Sequence, residues 1–215
     1  MNIHNQIYFH VSPQLDWQKN NTYFIGKNYA KRYDDLMSRG FSIPTVGGDQ
    51  IPINAILEGM GQFLSANTKA PFMPESYHFN SSDTLLEVLP LVRSQLTLIR
   101  ELIFEEVRKE YFPGKLSRYQ GLQVIPAKKE SLAFWLPQLK TANAKIYKIE
   151  LTGKLHRAPY TTLDVNSVPP NYIRYNAYQY WLGNENKEAD NDECLFEGLV
   201  KVLEVIDANK VASKG

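Results

Sequence analysis

Apolar and polar side chains alternate between Ile7 and Ser12, with Ile7, Phe9 and Val11 on one register and Tyr8, His10 and Ser12 on the other. Side chains of a strand repeat every two residues, so this pattern predicts a short strand that carries an imidazole and a hydroxyl on one face. Near the other end, Glu193-Cys194-Leu195-Phe196-Glu197 opens a second strand that runs on from Leu195 to Ile206, with Glu193, Leu195 and Glu197 sharing a side. Between them, Gly121 to Ile125 reads as a strand, Glu130 to Leu139 as a short helix, and Ala144 to Leu151 as a half-buried strand that Thr152-Gly153 turns back. Residues 164–192, with Pro169-Pro170 and an Asn/Glu/Asp-rich tract at 184–193, read as mobile loop.

The middle of the chain carries a helical period instead. Ile53, Ile56, Leu57, Met60, Phe63 and Leu64 keep three-and-four spacing despite Gly59 and Gly61. After a polar loop at 67–81, Ser82 can cap a longer helix whose stripe runs Leu85, Leu89, Val92, Leu96, Ile99, Ile103 and Val107. Pro90 would kink this helix or begin a second one, and Pro113-Gly114 ends it. A heptad-like stripe is either a dimer seam or the face packed on the chain's own sheet, and a stripe this short points to the latter. The expectation is an α+β fold in a single domain over 1–215, with core strands at about 5–12 and 117–207 and a helical lobe at about 50–112.

Composition narrows the partners more than the chemistry. The chain's 215 residues include 24 Lys plus Arg against 23 Asp plus Glu, so no global field draws it to nucleic acid or an anionic membrane. Neither is expected as a partner. Thirteen Tyr and ten Phe suit β-rich structure and ligands that stack on rings. Cys194 is the one cysteine, which rules out an internal disulfide and fits a reducing compartment. Met1 to Ser12 does not resemble a secretory signal, and no stretch reaches the ~20 apolar residues of a membrane helix, so a cytoplasmic protein is expected.

Several chemistries lack their motifs. Gly59-Met60-Gly61 falls short of a dinucleotide loop, and there is no phosphate loop, HExxH or nucleophile elbow. His4, His10, His78 and His156 are too scattered for a recognisable metal site. Cys194 reads as a small buried hydrophobe rather than a nucleophile.

Phe9-His10-Val11-Ser12 resembles the first motif of the ADP-ribosyltransferase-like fold, in the branch that begins with a strand histidine. Gly121-Leu-Gln-Val-Ile125 followed by Ser131-Leu-Ala-Phe-Trp135 is similar to that family's middle element, and Glu193-Cys-Leu-Phe-Glu197 to its last. Val11 stands where the family has glycine, and Gln123 where many members have tyrosine. The chain also resembles an uncharacterised group of small bacterial proteins. The fold the resemblance implies is a pair of split antiparallel sheets around an NAD cleft. NAD would be the substrate, no metal would be required, and ADP-ribose would pass to an unknown protein or small-molecule acceptor, as in toxins and effectors delivered to another cell.

On that resemblance His10 would position NAD through a ribose hydroxyl, with the Val11 backbone holding the nicotinamide amide and Ser12 and Gln123 beside it. Phe134 would stack on the nicotinamide and Arg118 would pair with the pyrophosphate. Glu193 would stabilise the oxocarbenium-like state, and Glu197 would activate the acceptor or stand as the fallback catalyst. Two carboxylates so close would raise the pKa of one of them. Each has a plainer reading: satisfied strand histidine, solvated glutamates, a surface arginine, a core phenylalanine. NAD hydrolysis and RNA 2′-phosphate transfer share the fold. A binding module that has lost the chemistry would account for Val11 and Gln123, and an oligomeric structural protein would use the 85–107 stripe. A monomer is the expected state.

Overall fold

The computed structural model describes residues 1–26, 29, 42–44, 50–52, 81–139, 144–163, 169–183 and 189–207. The fold is mixed α+β, with a five-stranded antiparallel sheet and three α-helices among the described residues. Two compact units are distinguished, one formed by Met1–Arg32 with Arg100–Gly215, the other by Tyr33–Ile99.

The second unit pairs β3 (Ser42–Pro44) with β4 (Gln50–Pro52) and contains the first part of α1 (Ser81–Tyr111). The helix expected over 53–64 lies outside the described residues. The stretch after it forms one helix from Ser81 to Tyr111, with Pro90 inside it and no break. Along its stripe Val92 and Ile99 are exposed, whereas Val107 is fully buried.

The first unit holds the sheet. Its strands are β1 (Asn2–Ser12), β2 (Thr22–Ile25), β5 (Leu122–Pro126), β6 (Lys145–Pro159) and β7 (Asp192–Asp207), in the order β2-β7-β5-β1-β6. Because β6 also pairs with β7, four of them close into a ring, and β2 continues the outer edge of β7 beyond β5. Closure leaves few unpaired edges, which an isolated sheet would have to protect.

Alternation sorts the side chains onto two faces. Tyr8, Leu122, Val124, Tyr147, Ile149, Cys194 and Phe196 form one cluster inside the ring. Leu195 and Ala158 face outward into a second cluster with Phe104 and Val107 of α1 and with Ile173, Ala177, Tyr180 and Trp181 of α3 (Pro170–Leu182). Phe9 and Val11 also face outward, beneath Leu132 and Leu136 of α2 (Lys129–Leu139). A bulge between Ile3 and Gln6, with Asn5 at φ 51°, resets the alternation so that Ile3 and Tyr8 both point inward.

Two expectations are corrected here. Thr152-Gly153 does not turn the chain back: β6 runs through it to Pro159 in register with β7, and Gly153 lies opposite Gly198. Both glycines have positive φ, 158° and 144°, and a Cβ on either would come within 2.5 Å of the facing backbone oxygen. The long hairpin bends where only glycine fits. Residues 164–192 are not all loop, because α3 occupies Pro170–Leu182. Pro170 starts it at a position where a missing N–H costs nothing, and Ile173, Ala177, Tyr180 and Trp181 keep the helical spacing that buries one face.

Candidate functional site

β1 and β5 pair only at Tyr8↔Pro126 and Phe9↔Ile125, and beyond that point they separate. At the split the His10 ring takes over the role of a strand N–H: Nδ1 lies 2.8 Å from the carbonyl oxygen of Gln123. A carbonyl only accepts, so Nδ1 carries the proton. The imidazole is flanked by Trp17, at 5.5 Å between ring centres, and by Tyr147, at 6.3 Å, with Tyr23 stacked behind Trp17 at 5.1 Å. Burial pushes the phenols of Tyr147 and Tyr29 above their ordinary value, so both stay protonated around this ring. A hollow of about 150 Å³ opens between the separating strands, lined by His10, Val11, Gln123, Ile125 and Leu139.

Ser12 is used locally. Its Oγ accepts the backbone N–H groups of Gln14 and Leu15, at 3.2 and 3.3 Å, which closes the turn after β1. Phe134 is half-buried and meets Trp135 and Tyr160 edge-on, at 5.4 and 5.3 Å, in an aromatic group on α2 away from the hollow's lining.

The other half of the sequence constellation lies elsewhere. Glu193 shares a face with Leu195, outside the ring, whereas His10 shares a face with Tyr8, inside it. The Glu193 carboxylate is 3% exposed and receives hydrogen bonds from an Arg118 guanidinium N–H and from the Tyr180 hydroxyl, the latter at 2.6 Å. Arg118 is 2% exposed and also grips Glu101 with two N–H groups, at 2.8 and 3.2 Å. Its planar cation lies 4.9 Å from the Tyr180 ring centre. Arg100 completes the set, 2.7 Å from Glu101. Burial raises the Glu101 pKa most, yet the Arg118 and Arg100 guanidiniums together outweigh it and hold the carboxyl below its ordinary range. Two carboxylates and two guanidiniums thus neutralise one another in a dry interface between α1, α3 and β7.

Beside this network His156 donates from Nε2 to the Tyr180 carbonyl, at 3.1 Å, and stacks on Trp181. Burial holds its pKa down at about 3, so the ring is neutral. Glu197, four residues beyond Glu193, is partly exposed and borders a separate cavity. Among the described residues no group of three or more His, Cys, Asp or Glu side chains is placed to hold a metal ion.

A family model described as a protein of unknown function (DUF2441) matches residues 8–208. The chain belongs to the DUF2441 family. No curated protein matches it. In this DUF2441 chain no helix among the described residues is long and apolar enough to cross a membrane.

The structure of this DUF2441 member brings His10, Val11 and Gln123 to one hollow and holds Glu193 and Arg118 together in another place. Sequence reasoning missed Trp17, Tyr23 and Tyr147 as the rings around His10, and Glu101 and Tyr180 as the partners of Glu193. The signal for Tyr147 was available, since it falls on the apolar register of its strand. Glu101 sits on a polar position of a long helix, where a buried carboxylate looks like any solvated one.

Proposed function

We propose that this protein is a binding module for NAD or a related nicotinamide nucleotide, built on an ADP-ribosyltransferase-like split sheet, with its site at the separation of β1 and β5. The observation that carries the reading is the hydrogen bond from His10 Nδ1 to the Gln123 carbonyl at the place where the strands part. It fixes the imidazole at the lining of the hollow, where a nucleotide's ribose would meet it. The hollow has the share of liquid volume of about five waters, enough for one ring of the nucleotide, with the rest lying over the rim. Trp17 and Tyr147 keep the histidine in place rather than stacking on the ligand.

Glu193 does not serve this site. Arg118 and Tyr180 both donate to its Oε2 on the outer face, so its charge is matched by a buried guanidinium. An oxocarbenium-stabilising carboxylate must face the scissile bond, whereas Glu193 stands on the outer face with Leu195 and His10 on the inner face with Tyr8. Arg118, committed to two carboxylates, is equally unavailable to a pyrophosphate.

The experiment is a thermal-shift titration of the full chain with NAD, followed by assay of the same solution for free nicotinamide. The module reading expects a raised melting temperature, NAD intact afterwards, and no shift with His10→Ala. Release of nicotinamide by the wild type but not by Glu193→Gln would replace it with ADP-ribosyl transfer or NAD hydrolysis. No shift at all would end both.

A further inference from the structure

Glu197 differs from Glu193 in what surrounds it. Its Oε2 is buried and has no hydrogen-bond partner among the described residues. A buried acceptor left without a donor costs about 1–3 kcal/mol, more when charged. The carboxylate borders a cavity of about 290 Å³ whose other charged or polar walls include Arg108, Lys115, Gln120 and Lys154.

The cations in this wall are not equivalent. Arg108 is already matched by Glu105, at 2.6 and 3.0 Å, and donates to the carbonyls of Pro113 and Lys115. Lys154 lies directly opposite Glu197 in the β6–β7 register, yet the two form no ion pair. Glu197 and Lys154 therefore border the same cavity without neutralising each other. A plain cation would be repelled by Lys154, and a plain anion by Glu197. A molecule with both charges close together satisfies both. The volume corresponds to about ten waters' share of liquid, which suits a molecule of that many heavy atoms.

We propose that this cavity binds a small zwitterion, a free α-amino acid, whose ammonium is held by the Glu197 carboxylate and whose carboxylate accepts from Lys154. The site is separate from the β1–β5 split and shares no lining residue with it. Gly114 is among its lining residues, and a Cβ there meets nothing within 4 Å, so a larger side chain is accommodated at that wall without a backbone clash.

The test is calorimetric titration of the full chain with each protein L-amino acid, and with the amine and the carboxylic acid that each becomes on losing one charged group. At least one amino acid should bind, with both single-charge analogues weaker by about tenfold or more. Glu197→Gln and Lys154→Met should each weaken it by about tenfold or more, and Gly114→Leu should abolish it. His10→Ala should leave it unchanged, which separates this site from the nucleotide site. The unliganded Glu197→Gln protein should melt no lower than the wild type, because the charge it removes is poorly satisfied. The proposal is overturned if no amino acid binds, if an amine alone binds as tightly as its amino acid, or if Gly114→Leu binds normally. Should Glu197→Gln not fold, Lys154→Met and Gly114→Leu decide the matter alone.

Discussion

Replacing Arg118 by methionine tests whether Glu193 belongs to a lock rather than to a catalytic centre. The substitution keeps the length of the side chain and removes the one cation that touches both Glu101 and Glu193. Breaking a buried ion pair from one side costs about 3–5 kcal/mol, because the remaining charge is stranded in a poorly polarisable interior. Here the remainder is partly relieved: Arg100 stays 2.7 Å from Glu101, and the Tyr180 hydroxyl stays 2.6 Å from Glu193. The expected loss is therefore near the lower end, about 3 kcal/mol, or roughly 6–12 °C in melting temperature for a chain of this size. The sign of the pH dependence is also fixed. In the wild type, Glu101 sits below its ordinary value of 4.5, so its stabilisation is complete above that pH and lost as the pH falls through the lower, folded value. In Arg118→Met the carboxylates lose their counter-charge, and protonation relieves them, so the gap to wild type should narrow as the pH is lowered toward ~4. Urea unfolding followed by tryptophan fluorescence reads this directly, since Trp181 packs against Tyr180 at 4.8 Å between ring centres. A loss below about 1 kcal/mol at neutral pH, the range of a surface pair, would refute the buried-lock reasoning. So would a gap that stays constant with pH.

Two further outcomes follow from the same interface and the sheet it covers. His156, neutral in the fold with a pKa of about 3 against an ordinary 6.5, lets the unfolded chain take up a proton that the native state refuses. Wild-type stability should fall as the pH drops from ~6.5 toward ~3, by up to about 5 kcal/mol from this group, and His156→Gln should flatten that slope in urea titrations at stepped pH; parallel profiles would contradict it. Gly198→Ala should destabilise by about 1–3 kcal/mol from backbone strain, with a similar amount from the collision of its Cβ with the Thr152 carbonyl, 2.5 Å away. Gly114→Ala is the matched control and should unfold like wild type in the same thermal melt.

How far the sequence reached depends on where each signal came from. β5, α2, the final strand and the strand around His10 were legible because period-two and helical patterns report burial on one face, and those faces are buried here. α3 was misread because Pro169-Pro170 and the acidic tract beyond it suggested loop on both sides. The apolar positions Ile173, Ala177, Tyr180 and Trp181 were there to be counted. The continuation of β6 through Gly153 was illegible, since a glycine after threonine marks a turn as readily as a bend. Only its pairing with Gly198, 45 residues later in the sequence, decides between them. Two motifs at opposite ends of a chain give each strand's register, but not which face of the sheet each presents. His10 and Glu193 fell on opposite faces for that reason.

The contrast between Glu193 and Glu197 shows why spacing alone misplaces chemistry. Both stand on the outward register of β7, four residues apart, and nothing in Glu-Cys-Leu-Phe-Glu ranks one above the other. What ranks them is the layer above the strand. Over Glu193, the segment between α1 and β5 brings a guanidinium and α3 brings a phenol, both to Oε2, so its charge is matched within the protein. Glu197 is left with an oxygen that is shielded from water and undonated, at the edge of a cavity with an unneutralised lysine across the register. A functional carboxylate needs unsatisfied hydrogen-bonding capacity directed at a space a ligand can enter. The residue matching the catalytic position is matched by a guanidinium that also holds Glu101, within a buried structural network. Its neighbour, the fallback in the sequence reading, is where binding chemistry remains open.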